Sequence, residues 1–210
     1  MNSETGECGV MLTIRKKKTY SMKYLGEECL HRKVQDIGEI TPEIRDLSET
    51  MLEIMRKHDG VGLAAPQIGV NLRLVVLDVP PPKDPGAMLS PGERELLGQM
   101  PLVLINPRIE SSSTVTDVCE EGCLSVPGGI YAPVERPVSV VLKTKLLNGP
   151  EVTLDCGGFL ARALQHELDH LEGIVYVQKV KDPAFTEILP QLKKIIKKYG
   201  PKGYKINRLV

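Results

Sequence analysis

The chain has 210 residues, 41% of them hydrophobic, so it is long enough for one domain with a sizeable core and too apolar for overall disorder. No run approaches the roughly 20 apolar residues of a membrane span, and the polar start lacks the hydrophobic stretch of a signal peptide. Basic and acidic residues both number 27, so no global charge favours specific DNA binding or a membrane surface. The five cysteines are scattered rather than paired as in a small secreted domain. We therefore expect one cytoplasmic domain over residues 1–210, with residues 1–20 as a flexible N-terminal extension.

The first predicted element is an amphipathic helix over residues 41–57, with Pro42 at its first position and Gly60 beyond its end. Aliphatic and β-branched runs then predict strands at residues 72–79, 102–105, 138–142 and 152–154. The dipeptide Asn148-Gly149 lies between the last two runs and is typical of a tight turn. These two strands are therefore predicted to form an antiparallel hairpin.

Residues 80–101 contain many prolines and glycines among polar residues, and we expect them to form an irregular insertion loop. Apolar periodicity predicts a helix over residues 159–171 and a C-terminal helix over residues 184–199. Strands and helices are thus segregated along the chain rather than alternating. This order favours the α+β fold class.

A candidate metal site lies in the helix at residues 159–171, where the sequence reads His-Glu-Leu-Asp-His from His166 to His170. Side chains four residues apart share one face of a helix, so both imidazoles can reach a single ion, with Glu167 beside them. Two surface histidines are the alternative interpretation. Apolar neighbours that would bury this helix argue against it.

The third ligand of such a site is not given by the two histidines, although a catalytic zinc-type site needs three protein ligands and an open position. In the metzincin pattern a third histidine would stand where this chain has Tyr176. A glutamate ligand from a following helix would have to be Glu187, which lies close behind the motif. Cys123 is a soft ligand preceded by the small residue Gly122, although a lone cysteine is often only a small buried hydrophobe.

Three segments in order carry a family resemblance: residues 60–67 (GVGLAAPQ), 121–125 (EGCLS) and 165–173 (QHELDHLEG). They closely resemble the three signature motifs of peptide deformylase. The resemblance spans most of the chain and departs from the family at residues 80–101 and at both ends. It implies antiparallel sheets packed around a central helix that carries the two histidines, followed by a C-terminal helix.

The resemblance implies a metal-dependent hydrolase that removes the N-formyl group from the N-terminal formylmethionine of newly made polypeptides. Its metal ligands would be Cys123, His166 and His170. It implies Fe²⁺ as the working divalent ion with Zn²⁺ as a frequent substitute, and a thiolate ligand also suits Ni²⁺ or Co²⁺. It further implies that Glu121 is an acid in a buried ion pair with Arg136 rather than an exposed surface acid.

The chemistry assigns roles to further residues of these motifs. Hydrolysis of an amide needs water activated by the ion, and Glu167 would take the proton of that water and pass it to the leaving amine. Gln67 and the backbone N–H of Leu124 would donate hydrogen bonds to the oxyanion. Because methionine is long and uncharged, its side chain needs an apolar pocket. The candidate substrate contacts are Val61, Gly62, Leu124 and Leu164.

Three other functions remain as alternatives to this hydrolase. The same histidines and Glu167 would also suit a zinc endopeptidase with a different third ligand. A structural zinc site would need a fourth ligand, and the chain has no Cys-x-x-Cys pair to supply it. A phosphate-binding loop at residues 60–67 would need the lysine and Ser/Thr of a P-loop, which are missing there.

The C-terminus is a local basic patch on a chain of zero formal charge, with no acidic residue after Glu187. A solvated helix face with a loose tail is the simpler interpretation. An enzyme that acts on nascent chains would also gain from weak, salt-sensitive contact with ribosomal RNA. The basic residues concerned are Lys193, Lys194, Lys197, Lys198, Lys202, Lys205 and Arg208.

Overall fold

The computed structural model describes residues 18–210, so Cys8 and most of the predicted N-terminal extension lie outside the described residues. The helices are α1 (Pro42–Lys57), α2 (Pro91–Leu96), α3 (Gly158–Leu171) and α4 (Ala184–Tyr199). The strands are β1 (Gly62–Ala64), β2 (Leu74–Leu77), β3 (Leu102–Ser112), β4 (Thr116–Glu121), β5 (Ala132–Pro137), β6 (Ser139–Leu146) and β7 (Glu151–Gly157). Short 3-10 helices cover Glu28–His31, Ala65–Ile68, Leu97–Gln99 and Tyr176–Lys179.

The strands form two antiparallel sheets. The larger sheet has the order β1-β2-β3-β6-β7, and β4 and β5 form a separate two-stranded ribbon. The hairpin predicted at Asn148-Gly149 is confirmed, because β6 and β7 pair antiparallel from Ser139↔Gly157 to Lys145↔Glu151. The prediction from sequence missed β1, β4 and β5.

Helix α3 is the centre of the fold. Its side chains Leu160, Leu164, Leu168 and Leu171 pack on one face of the larger sheet. Met51 and Met55 of α1 pack with the opposite face of the same sheet. Helix α3 also contacts β5 of the ribbon, so both sheets surround it. The predicted α+β class, with antiparallel sheets around a central helix and a C-terminal helix, is confirmed.

The expected irregular loop over residues 80–101 needs a correction, because α2 and a 3-10 helix occupy residues 91–99. Ser90 and Glu93 form a capping box at the start of α2: the Glu93 N–H donates to Ser90 Oγ (3.3 Å), and the Ser90 N–H donates to Glu93 Oε2 (2.9 Å). Pro91 fits the first helical position. These local signals outweigh the breakers around them, and within this segment residues 80–90 and 100–101 lack a helix or strand.

The C-terminal segment packs against the body of the protein. Leu192 and Ile195 of α4 are buried with the inner side of the ribbon. Beyond the helix, Tyr204 Oη lies 2.7 Å from His31 Nε2, and the Leu209 N–H donates to the Gln178 carbonyl (2.8 Å). Among residues 18–210, no helix combines the length and apolarity needed to cross a membrane.

Candidate metal centre and active site

The three sequence motifs meet at a cavity of about 630 Å³ between α3, the start of β1 and the loop that joins β4 to β5. Residues 58–62 form one wall, and residues 120–124 and 126–131 form the other. Helix α3 contributes Phe159, Arg162, Ala163, His166 and Glu167. These five residues recur every three or four positions along the helix, so they share one face. The fold thus brings residues of all three motifs together at a single site.

The three predicted ligands lie close together, and two of them, Cys123 and His166, line this cavity. One ligand atom each from Cys123, His166 and His170 lies within 4.8 Å of the others, and Cys123 Sγ is 3.2 Å from His170 Nε2. The two imidazoles stand one turn apart on α3, and the cysteine comes from the loop after β4. One thiolate and two imidazoles are a ligand set for a divalent transition metal.

The pKa values of the two histidines shift in opposite directions. Burial would lower the pKa of His166, but its hydrogen bonds with Cys123 and Glu121 outweigh burial and raise it. Burial, reinforced by the charge of His166, lowers the pKa of His170 and favours the neutral imidazole that binds metals. Within residues 18–210, Glu167 Oε2 and His170 Nδ1 are buried atoms without a hydrogen-bond partner. A neutral His170 imidazole and an unpartnered carboxylate oxygen of Glu167 are therefore both buried at this site.

His166 is oriented by a buried ion-pair cluster. Its Nδ1 lies 3.0 Å from Glu121 Oε2, which leaves Nε2 for an ion. Glu121 accepts from Arg136 through Nε (2.6 Å) and Nη2 (2.9 Å), and from Arg162 Nη1 (2.7 Å). Burial would raise the pKa of Glu121, but Arg136 and His166 hold it well below its usual value. The expected Glu121–Arg136 pair is confirmed, and Asp169 of α3 accepts from Arg136 Nη1 (2.7 Å).

Glu167 lies beside the ligands but points to a different neighbour. Its carboxylate is packed against Gly62, where a Cβ atom would lie 2.4 Å from Glu167 Oε1. A side chain at position 62 would therefore displace the carboxylate. Burial raises the pKa of Glu167 to about 7, which suits a group that must both accept and donate a proton near neutral pH.

Gln67 presents its amide group to the same site. Its Oε1 accepts from the Ala64 N–H (2.7 Å), so the amide nitrogen is directed to the opposite side. There Nε2 lies 3.5 Å from Cys123 Sγ and 3.3 Å from Ser125 Oγ. The side chain is 1% exposed, so the amide is held in one orientation. This arrangement places a neutral hydrogen-bond donor beside the ligand atoms.

Of the four predicted substrate contacts, Val61, Gly62 and Leu124 line the cavity. Leu164 does not: it is fully buried in the core between α3 and the larger sheet. The reason is its position on the helix, because the cavity is lined two residues later by His166 and one residue earlier by Ala163. Proximity in sequence to His166 was a poor guide to which face Leu164 occupies.

Sequence reasoning missed three residues of α3 that line the cavity, Phe159, Arg162 and Ala163. They lie seven, four and three positions before His166, which are the spacings of one helix face. This spacing was a usable signal. Arg162 also donates to the Val134 carbonyl (3.1 Å) and pairs with Asp117, and so ties α3 to both strands of the ribbon.

Comparison with known proteins agrees with this geometry. Residues 19–185 match the model of the polypeptide deformylase family. The chain belongs to that family. The enzymatic activity implied by the three motifs, removal of N-formyl groups from nascent peptides, is thereby confirmed. The alternative of an ordinary zinc endopeptidase is not favoured.

Relatives of the deformylase family match the chain over most of its length. Peptide deformylase 2 of Gloeobacter violaceus is 43% identical over 176 residues, which are 84% of this chain and 86% of that protein. A crystal structure of a peptide deformylase from Synechococcus elongatus in complex with actinonin is 37% identical, with a TM-score of 0.68 and 89% of each chain covered. A crystal structure of a plant peptide deformylase is 32% identical, with a TM-score of 0.74 and 89% and 94% covered.

Proposed function

We propose that this deformylase hydrolyses the formyl amide of N-terminal formylmethionine with an ion held by Cys123, His166 and His170. The observation that carries the proposal is the convergence of these three ligand atoms within 4.8 Å, beside the buried Glu167 carboxylate. The set contains three protein ligands rather than four, which is the pattern of a catalytic site with an open position.

Cys123, His166 and His170 would hold the divalent ion, which would supply activation of water and polarisation of the formyl carbonyl when bound. Residues of the chain transfer the proton and stabilise the developing charge. Glu167 accepts a proton from the attacking water and returns it to the nitrogen of the leaving amine. The amide group of Gln67 and the backbone N–H of Leu124 donate hydrogen bonds to the formyl oxygen as it gains charge. Because both donors are neutral, they stabilise that charge without altering the charge of the metal site.

The ion is proposed to be Fe²⁺, with Zn²⁺, Ni²⁺ and Co²⁺ as ions that the same ligands accommodate. A thiolate from Cys123 makes the site softer and more negative than three imidazoles would. This donor set suits ferrous iron and does not select strongly against the other three ions.

The methionine side chain is proposed to bind in the cavity beside Val61, Gly62 and Leu124. Val61 and Leu124 supply apolar surface, and Gly62 lets the backbone of the substrate approach closely. Such a pocket recognises methionine by burial rather than by charge. A formyl-Ala peptide should therefore be cleaved with a clearly lower kcat/KM than its formyl-Met counterpart.

The activity is tested with protein purified without oxygen and with its metal content measured. It is assayed on a formyl-Met peptide and on the same peptide without the formyl group. We expect formate release from the first peptide and no cleavage of the second. Hydrolysis of internal peptide bonds, or turnover that does not depend on the formyl group, would instead support the zinc endopeptidase.

We also propose that the basic patch on α4 and on the segment that follows it makes weak contact with the ribosome. The enzyme is further proposed to work in the cytoplasm. The ribosome contact is supported by the solvent exposure of the patch, because all six lysines from Lys193 to Lys205 face solvent. Arg208 differs, because it pairs with Asp182 (2.8 Å) and packs on the Phe185 ring. Removing the helix after residue 189 would be a poor test, since Leu192 and Ile195 are buried in the core.

Charge neutralisation tests the ribosome contact without removing core residues. We expect Lys→Gln at positions 193, 194, 197 and 198 to abolish salt-sensitive co-sedimentation and to leave peptide activity unchanged. The matched control changes four exposed lysines elsewhere, at positions 18, 33, 57 and 145. Equal co-sedimentation of both variants would rule out this contact.

A further inference from the structure

A second cavity, of about 470 Å³, lies beside the catalytic one. We call it the apolar groove. Its wall is formed by residues 79–83 and 87–89 with Leu97, and its floor is the start of α3, at Phe159 and Leu160. Lys83 and Glu93 are the charged residues that line it, and Glu93 is 5% exposed and held in the capping box with Ser90. The groove therefore offers mainly apolar surface.

The groove and the catalytic cavity meet at Phe159, which lines both. Phe159 and His166 are seven residues apart on α3, so they lie nearly on the same face, about 10 Å from each other along the helix axis. The Phe159 side chain is 50% exposed. An extended molecule bound at the metal centre can therefore continue past this ring into the groove.

The wall of the groove is held by specific contacts. The Gly157 N–H donates to Ser90 Oγ (2.8 Å), which fastens the end of the segment to the start of α3. A Cβ at Gly92 would lie 2.4 Å from Cys156 Sγ, so α2 packs directly on β7. At the tip, Asp84 accepts from the N–H groups of Gly86 (2.8 Å) and Ala87 (3.1 Å). Within this wall the Met88 side chain is nevertheless 97% exposed.

We propose that the apolar groove binds an aliphatic or aromatic side chain of the polypeptide substrate, downstream of the formylmethionine. The proposal rests on the proposed function, because the catalytic cavity must hold the N-terminus of the same chain. An extended peptide advances about 3.3 Å per residue, so the distance of about 10 Å places the third to fifth residue at the groove. The substrate continues beyond its first residue, and the groove is an apolar surface that adjoins its binding site at Phe159.

The test compares formylated pentapeptides that differ at one position. Each carries Leu or Asn at position 3, 4 or 5 of a formyl-Met-Ala-Ser-Ala-Ser sequence, and formyl-Met-Ala-Ser is the short reference. We expect Leu to raise kcat/KM about fivefold over Asn at one of these positions, as partial burial of one leucine allows. Equal kcat/KM values for the Leu and Asn peptides at all three positions would overturn the proposal that the groove binds a substrate side chain. Failure to release formate from the short reference would instead count against the proposed function.

Two variants assign the preference to the groove. Met88→Asp places a carboxylate in the lining, and Pro85→Asp places the same charge on an exposed residue of the same segment outside it. We expect Met88→Asp to remove the preference for Leu, with kcat/KM for the short reference unchanged, and Pro85→Asp to keep it. Met88 is almost fully exposed, so its replacement leaves the fold intact. A preference that survives Met88→Asp, or that both variants abolish equally, would contradict the assignment.

Discussion

Helices α3 and α4 have 14 and 16 residues, and both combine apolar with charged side chains, but they place their charges differently. Helix α3 buries Arg162, Glu167 and His170, and most of its polar side chains form hydrogen bonds within the protein. Helix α4 buries only apolar residues and leaves its lysines in solvent. The charged side chains of α3 are therefore held in one orientation by their partners. The exposed lysines of α4 can be replaced with little change in the structure. The following predictions test this difference, from the largest effect to the smallest.

The largest effect is expected from Cys123→Ala, which leaves the two imidazoles of α3 without their third ligand. We expect loss of the ion on dialysis, measured as metal per protein, because two ligands do not hold it. Cys29→Ala and Cys156→Ala are the controls, and both should keep the metal. Full metal content in Cys123→Ala would show that α3 binds the ion without the thiolate.

The same substitution in both helices compares a buried with an exposed glutamate. Glu167→Gln in α3 should keep the metal and lower kcat by about 10²- to 10⁴-fold, because it removes the proton acceptor. Glu187→Gln in α4 removes an exposed carboxylate and should leave kcat unchanged. A Glu167→Gln enzyme with near-normal kcat would exclude Glu167 as the base.

Removing a buried partner should destabilise the protein far more than removing a surface charge. Arg136→Met leaves the carboxylates of Glu121 and Asp169 without that guanidinium and should lower the free energy of unfolding by about 3–5 kcal/mol. Lys194→Met in α4 removes an exposed charge and should change it by less than about 0.5 kcal/mol. Urea unfolding of the metal-loaded proteins measures both, and similar values would mean that the cluster does not depend on Arg136.

Within α4, replacing a buried apolar side chain should lower the free energy of unfolding more than replacing an exposed lysine. Leu192→Ala creates a cavity among buried residues and should cost about 2–4 kcal/mol. Lys193, one residue later, faces solvent, so Lys193→Ala should leave the free energy of unfolding nearly unchanged. Thermal unfolding of the two variants distinguishes them. A small effect of Leu192→Ala would indicate that α4 is loosely packed, and truncation would then be a valid test of the ribosome contact.

Local chemistry in the sequence was enough for several elements. Pro42 marks the start of α1, Asn148-Gly149 forms the turn of the β6–β7 hairpin, and the spacing of His166 and His170 places both imidazoles on one helix face. These features depend on a few neighbouring residues, so the sequence contains the information directly. The family motifs added Cys123 and the pairing of Glu121 with Arg136, which no local pattern predicts.

Other features depend on contacts between distant segments. Strand β4 is exposed except at Glu121 and shows no alternation of apolar residues, and β5 contains Pro133 and Pro137, which are usually taken as strand breakers. The two strands form because they pair with each other in a two-stranded ribbon, in which each is an edge strand and proline is tolerated. Likewise, the apolar character of Phe159 and Leu164 does not show which of them faces the cavity and which the core, and their positions on α3 relative to His166 and to the sheet decide it. Both are apolar, so their chemistry alone does not distinguish a substrate-facing side chain from a core side chain.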